Sequence, residues 1–183
     1  GQTHGRCETY EPGQDGRREV IDKICEKDFR ATAILGAPSC VVHFINSTDW
    51  GKQPPEVMRR VSKEMYNNII PYAEKHKVNI ALETFGAALV KGDRIREFFA
   101  DPNEFLDQFN AMDTKYKTMC VDTGHIHEAE SFWVPPPEEF IRFLGKDVTL
   151  LHLHDNFGRW DDHQLPGQGS VNWVKVFDAL DEI

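Results

Sequence analysis

Apolar residues fall at three- and four-residue steps from Pro55 to about Lys77, with Met58, Val61, Met65, Ile69 and Tyr72 on one side. That period predicts a long amphipathic helix. It also predicts helices over 17–35 (Ile21, Ile24, Cys25 and Phe29 on one side, ending at Gly36), 138–145 and 172–183 (Trp173, Val176, Phe177, Leu180 and Ile183). Residues 93–99 and 103–112 read as two helical pieces, split at Asp101-Pro102, because proline disfavours helical backbone in the residue before it. Between the helices lie short apolar runs at 39–45, 78–85, 117–122 and 147–153, which read as strands. They are continuous, not alternating, as expected of strands covered on both faces. Residues 1–16, the stretch from Asn46 to Pro55, and 86–92, 123–137 and 155–169 read as loops.

Strands that alternate with helical crossovers pair in parallel. The order fits either an open doubly wound sheet or part of a (β/α)8 TIM barrel. No glycine-rich phosphate loop follows a strand, so a dinucleotide fold lacks support. A whole barrel needs about 250 residues; the 183 residues here supply part of one. The expectation is an α/β chain forming a single, incomplete TIM-barrel domain over 1–183, from about the end of the third strand to the seventh helix. Its open sheet edges would favour a homo-oligomer.

The chemistry sits where the apolar runs stop. His43 follows Ser-Cys-Val-Val, Glu83 follows Asn-Ile-Ala-Leu, Asp122 follows Thr-Met-Cys-Val and His152 follows Val-Thr-Leu-Leu, at steps of 40, 39 and 30 residues. His4 lies 39 residues before His43. Each step is one strand, one helix and two loops long, and the strands of a parallel barrel all end on one face. Two imidazoles and two carboxylates make a nitrogen/oxygen set that suits Mn²⁺, Co²⁺, Zn²⁺ or Fe²⁺ and not soft copper. Further groups follow in Asp122-Thr-Gly-His125, His152-Leu-His154-Asp155-Asn156 and Asp161-Asp-His163. His152 and His154 alternate along a strand, so one of them would face the barrel mouth. That leaves His154 and Asp155 to orient ligands. Trp50, Phe85, Trp133 and Trp160 follow strand ends and are candidates for walls of a sugar pocket. His76 and His127 read as ordinary surface residues.

Composition narrows the classes. Forty per cent of residues are hydrophobic and 28% charged, as in a soluble globular chain. No apolar stretch approaches the ~20 residues that span a bilayer, and no secretory signal is read at the start. The four cysteines form no C-x-x-C pair, which with the strand positions of Cys40 and Cys120 points to reduced thiols and a cytoplasmic protein. A net charge of −9 weighs against nucleic acid as the partner.

With Leu82-Glu83, Asp122-Thr-Gly-His125, His152-Leu-His154-Asp155-Asn156, Asp161-Asp-His163 and Pro166-Gly-Gln-Gly169 in family order, the chain resembles the xylose-isomerase-like barrel superfamily. That group includes sugar and sugar-phosphate isomerases, ketose 3-epimerases and endonuclease IV. The resemblance implies that Glu83, Asp122 and His152 are three of four metal ligands. It prefers His152 to His154 because the family's ligand stands three residues before an acidic residue, here Asp155. The fourth ligand, a last-strand Glu, has no counterpart before Ile183. His4, His43, His125, Asp161 and His163 match further ligands of the three-metal endonuclease branch, or substrate-pocket positions in isomerase-like members.

The reading that follows is an enzyme: a divalent-metal-dependent (Mn²⁺, Zn²⁺ or Co²⁺) isomerase or epimerase of a small sugar or sugar derivative. Glu83 would be ligand and general base through an enediolate, and His125 and Arg159 would meet substrate hydroxyls or a phosphate. The competing readings are an endonuclease IV-like multi-zinc phosphodiesterase and a non-catalytic sugar-binding barrel.

Overall fold

A computed structural model describes residues 2–4, 15–43, 54–90 and 92–183. Cys7, Trp50 and most of the two loops expected over 1–16 and from Asn46 to Pro55 lie outside the described residues. The chain divides into two compact units, Gly1–Glu83 with Asp107–Thr118, and Thr84–Leu106 with Met119–Ile183.

In the first unit, β1 (Gln2–His4), β2 (Ser39–Val42) and β3 (Asn79–Glu83) pair in parallel, with His4 opposite Val41 and Val42 opposite Leu82. β1 falls within the stretch expected to be a loop; its three residues are too few to show a period. The apolar runs of β2 and β3 are buried throughout Cys40–Val42 and Ile80–Leu82. Two helices, α1 (Asp15–Ile34) and α2 (Pro55–His76), pack on each other and on these strands. The predicted stripe of α2 is the one it buries, through Met58, Val61, Met65 and Ile69. Pro55 starts α2 in the first turn, where its missing N–H costs nothing. Lys77 ends it in the left-handed region at φ 55°, donating its N–H to the Ala73 and Glu74 carbonyls. Cys25 is disulfide-bonded, which corrects the expectation of four reduced thiols. Sequence spacing does not report which thiols folding brings together. The thiols of Cys40 and Cys120 are buried.

The second unit holds a surprise at its start. Residues 93–96, expected to be helical, form β5 (Asp93–Arg96), which pairs antiparallel with β4 (Ala87–Val90). Val90 faces Asp93 across a two-residue connection whose Gly92 has φ 91°. A glycine at that position satisfies the tight hairpin turn, and its signal outweighs the weak helical period. α3 (Pro102–Asn110) begins where predicted. β6 (Lys117–Asp122) pairs in parallel with β7 (Val148–His152), and Asp122 stands opposite His152.

The expected loop after Asp122 is in part helical, as α4 (Thr123–Ala129). Asp122 caps it, its carboxylate accepting from the His125 N–H at 2.9 Å. An Asx-turn and a helix N-cap both begin with an Asp side chain that accepts a nearby backbone N–H, so the sequence could not separate them. α5 (Pro137–Leu144) packs on α6 (Trp173–Glu182). α6 buries Val176 and Ala179 and leaves Phe177 51% exposed, so its buried stripe is narrower than its apolar pattern. Among the described residues, no helix is long and apolar enough to cross a membrane.

Candidate active site at the strand ends

In the first unit, Glu83 ends β3 and is buried. His43, one residue past β2, lies beside it, with Nε2 2.7 Å from Glu83 Oε2. The parallel register dictates this contact: Val42 pairs with Leu82, so the next residues emerge together. Tyr66 of α2 is buried too. Burial first, and the Glu83 carboxylate second, push its hydroxyl well above the ordinary tyrosine range. His4 ends β1, and its side chain is outside what is described.

In the second unit, Asp122 ends β6 and gathers three imidazoles. His154 Nε2 is 2.8 Å from Oδ1, His152 Nδ1 is 3.4 Å from Oδ2 and His125 Nδ1 is 3.8 Å from Oδ2. Burial works to raise this carboxyl, but the charge of His125 and the hydrogen bonds of His152 and His154 overcome it and hold it far below the ordinary range. His154 feels the reverse: burial lowers its pKa, while Asp122 wins and raises it.

The alternation argument predicted that only one of His152 and His154 would face the mouth. Both approach Asp122. β7 ends at His152, so strand geometry no longer governs residue 154. The Thr123 hydroxyl anchors the exit by donating to the His154 carbonyl at 2.9 Å. Gly124 makes room for the ring: a Cβ there would stand 1.9 Å from His154 Cε1. Gly124→Ala is therefore expected to cost about 1–3 kcal/mol by overpacking and to move His154 off Asp122. Urea melts and the His154 ring NMR signals would read this; an unchanged melt and spectrum would refute it.

His125 stands ready as a ligand or a substrate contact. Its Nδ1 donates to the Thr84 carbonyl at 2.9 Å, and its Nε2 faces the Asp161 carboxylate. That ring stacks on Phe85, 6.1 Å between centroids. The loop after β7 adds Asp161, with Oδ2 3.7 Å from His125 Nε2 and 3.1 Å from His163 Nε2, and Oδ1 3.6 Å from His154 Nε2. His163 stacks on His154 at 4.0 Å from left-handed backbone, φ 49°. Two trios thus share His154: Asp122·His125·His154 and His154·Asp161·His163, each with its ligand atoms within 4.8 Å of one another.

Asp155, expected to orient a ligand, is fully buried and organises the loop. Its Oδ1 accepts from the N–H groups of Asn156 (2.9 Å) and Val171 (3.0 Å), and its Oδ2 from Gly167 N–H (2.9 Å) and Trp173 Nε1 (2.8 Å). Burial opposes ionisation here, yet these donors lower its pKa to about 2.

Arg159 is exposed beside Trp160, 5.9 Å from the ring centroid. Trp160 is partly exposed and Trp133 is 98% exposed, so Trp133 walls no pocket. The sequence reading passed over Arg94 of β5. It stands over the rings of Phe132 (5.4 Å) and Trp160 (5.6 Å) and donates to the Glu128 carbonyl at 3.0 Å. Glu128 was also missed; burial raises its carboxyl pKa, and it accepts from Ala87 N–H at 2.9 Å. Gly92 was a signal for the hairpin that carries Arg94; Glu128 had none.

A family described as xylose isomerase-like TIM barrel matches the chain over residues 5–183. The uncharacterized protein y4fM of Sinorhizobium fredii is 26% identical over 179 residues, 91% of this chain and 50% of that protein. A D-tagatose 3-epimerase-like protein superposes with TM-score 0.77 at 22% identity, over 99% of this chain and 66% of its own. The IolI protein, solved with a bound zinc atom, gives TM-score 0.77 at 18% identity, over 100% and 63%. These likenesses establish the fold as part of a (β/α)8 barrel, and the chain spans about half the length of the curated relatives it matches.

Proposed function

The chain belongs to the xylose isomerase-like TIM barrel family, and from that premise we propose that it is a divalent-metal-dependent isomerase or epimerase of a small sugar or sugar derivative. One observation carries this reading. A buried carboxylate, Asp122, is held ionised among imidazoles at the end of a parallel strand. Imidazole nitrogens and a charged carboxylate are the donor set of Zn²⁺, Mn²⁺ or Co²⁺, so the residues fit such an ion. The bound zinc of IolI and the sugar chemistry in the names of other structural neighbours support the same reading.

Glu83, Asp122 and His152 are the proposed ligands, each the last residue of its strand. When bound, the ion would polarise a substrate carbonyl as a Lewis acid. Glu83 is the proposed base, taking the proton from the carbon next to that carbonyl. His43 holds the Glu83 carboxylate in one orientation, 2.7 Å away. His125, with Nδ1 fixed on the Thr84 carbonyl, is the proposed contact to a substrate hydroxyl. Arg159 would meet an outer hydroxyl or a phosphate. A cytoplasmic setting remains the proposed one, and the Cys25 disulfide opposes it.

A second reading, a multi-metal phosphodiesterase, draws on the two trios that share His154. Metal analysis of the purified protein separates the two. One tightly bound ion per chain is expected for the isomerase, three for the phosphodiesterase, and none would end both. A panel of aldoses, ketoses and inososes with an abasic DNA control then assigns the reaction.

A further inference from the structure

We propose that the second unit carries another catalytic site, a Ser-His-Glu relay in which Ser170 attacks small carboxylic esters. The Ser170 hydroxyl lies 2.8 Å from His127 Nε2, and His127 Nδ1 lies 2.6 Å from Glu130 Oε1. A carboxylate accepts from an N–H, so the relay places the ring proton on Nδ1, toward Glu130. Nε2 is then left to accept from the hydroxyl. The hydroxyl has one other acceptor in range, the Asn156 carbonyl, at the longer distance of 3.3 Å. His127 and Glu130 sit three residues apart, on the last turn of α4 and the short helical turn after it, so helix geometry sets that half of the relay. Ser170 arrives from the loop that Asp155 organises, its N–H donating to the Asn156 carbonyl at 2.8 Å.

The relay opens on a cavity of ≈ 260 Å³. Asn172 and Lys175 form part of its wall, with Pro136 and Pro137 at the start of α5. Among the described residues, no Leu, Ile, Val, Met, Phe or Trp lines it, so it suits an acetyl-sized acyl group on a polar alcohol and not a long chain. Asn172 uses its Oδ1 to cap α6, accepting from the Lys175 N–H at 3.2 Å, which leaves its amide N–H groups for a ligand. That amide is the donor for a developing oxyanion; the Lys175 ammonium pairs with the Glu138 carboxylate of the same wall at 3.4 Å.

The chemistry closes without a further reactant besides ester and water. The Ser170 oxygen bonds to the ester carbonyl carbon as its proton passes to His127 Nε2. The tetrahedral oxyanion collapses, the bond to the alcohol oxygen breaks, and that oxygen leaves with the proton from His127. Water then attacks the acyl-serine, giving a proton to His127. Ser170 recovers it as the carboxylic acid departs. Glu130 acts as a positioning residue, holding the His127 ring through Nδ1.

The test is a fluorophosphonate probe on the full chain, read by intact mass and peptide mapping, with p-nitrophenyl acetate hydrolysis alongside. A single label on Ser170 is expected, together with hydrolysis above buffer. Ser170→Ala should remove the label, and His127→Gln should slow it about a hundredfold or more, the usual worth of a general base. Glu130→Gln should slow labelling, and Glu130→Asp should recover part of the rate with the thermal melt unchanged. Chelation should leave labelling untouched, which separates this site from the strand-end cluster. No label on the folded wild-type protein, a label elsewhere, or a rate indifferent to His127→Gln would overturn the proposal.

Discussion

Glu83→Gln is expected to lower sugar turnover by about a thousandfold or more while the fold stays intact, because one substitution removes two roles. The amide cannot take a proton from carbon, and loss of a positioned base alone costs about 10²–10⁴ in rate. Gln is also a neutral ligand where the proposal places a charged one, so metal affinity should fall with the rate. The shape of the buried side chain is nearly kept, and His43 can still hydrogen-bond to the amide oxygen as a donor. The thermal melt should therefore move by only a few degrees. Turnover on the best substrate of the panel, metal content after dialysis and calorimetry check the three parts. Full activity in the variant would reject Glu83 as base. Lost activity with metal content unchanged would keep the base and remove Glu83 from the ligands.

Asp155→Ala should be the most damaging change to stability in the second unit. The carboxylate is fully buried and accepts from four donors spread over residues 156–173. Its loss strands several of them, each costing about 1–3 kcal/mol if it stays buried without a partner. Partial hydration of the loop returns some of that, so a net loss of about 3–5 kcal/mol is expected in urea melts. The pH dependence carries a signature. The folded pKa, about 2, lies below the ordinary value of 3.8. A depressed carboxyl contributes stability that is present above about pH 4 and is lost as pH falls toward 2. The difference between these values corresponds to roughly 2 kcal/mol. Subtracting the variant's pH–stability curve from the wild type's should show that loss between pH 4 and 2. A flat difference would mean that Asp155 is not ionised on folding. Because the same loop carries Asp161, His163 and Ser170, the variant should also weaken both proposed sites.

The backbone plan was legible in the sequence because burial on both faces demands continuous apolar strands, and crossovers demand a helix between them. The order of β2, α2, β3, α3, β6, α5, β7 and α6 follows from those two demands. So do the positions of Glu83, Asp122 and His152, since a strand run ends at the residue that meets solvent or a ligand. The sequence also contained the Asp122 cap, the Lys-Gly connection and the His127–Glu130 spacing as local signals. Each was ambiguous there, because the same residues serve turns, caps and exposed surface alike.

Other features were decided only when segments far apart in the chain met. Alternation along a strand assigned His154 away from the mouth, and the early end of β7 turned it toward Asp122. Asp155 read as a partner for an imidazole; four donors arriving from up to 18 residues away made it the centre of a loop. Ser170 lies 43 residues from His127, and no periodicity links them. Local pattern specifies which face of an element is buried. Which side chains then share a carboxylate or a cavity depends on long-range register and loop closure, and that information is distributed over residues that no short window contains.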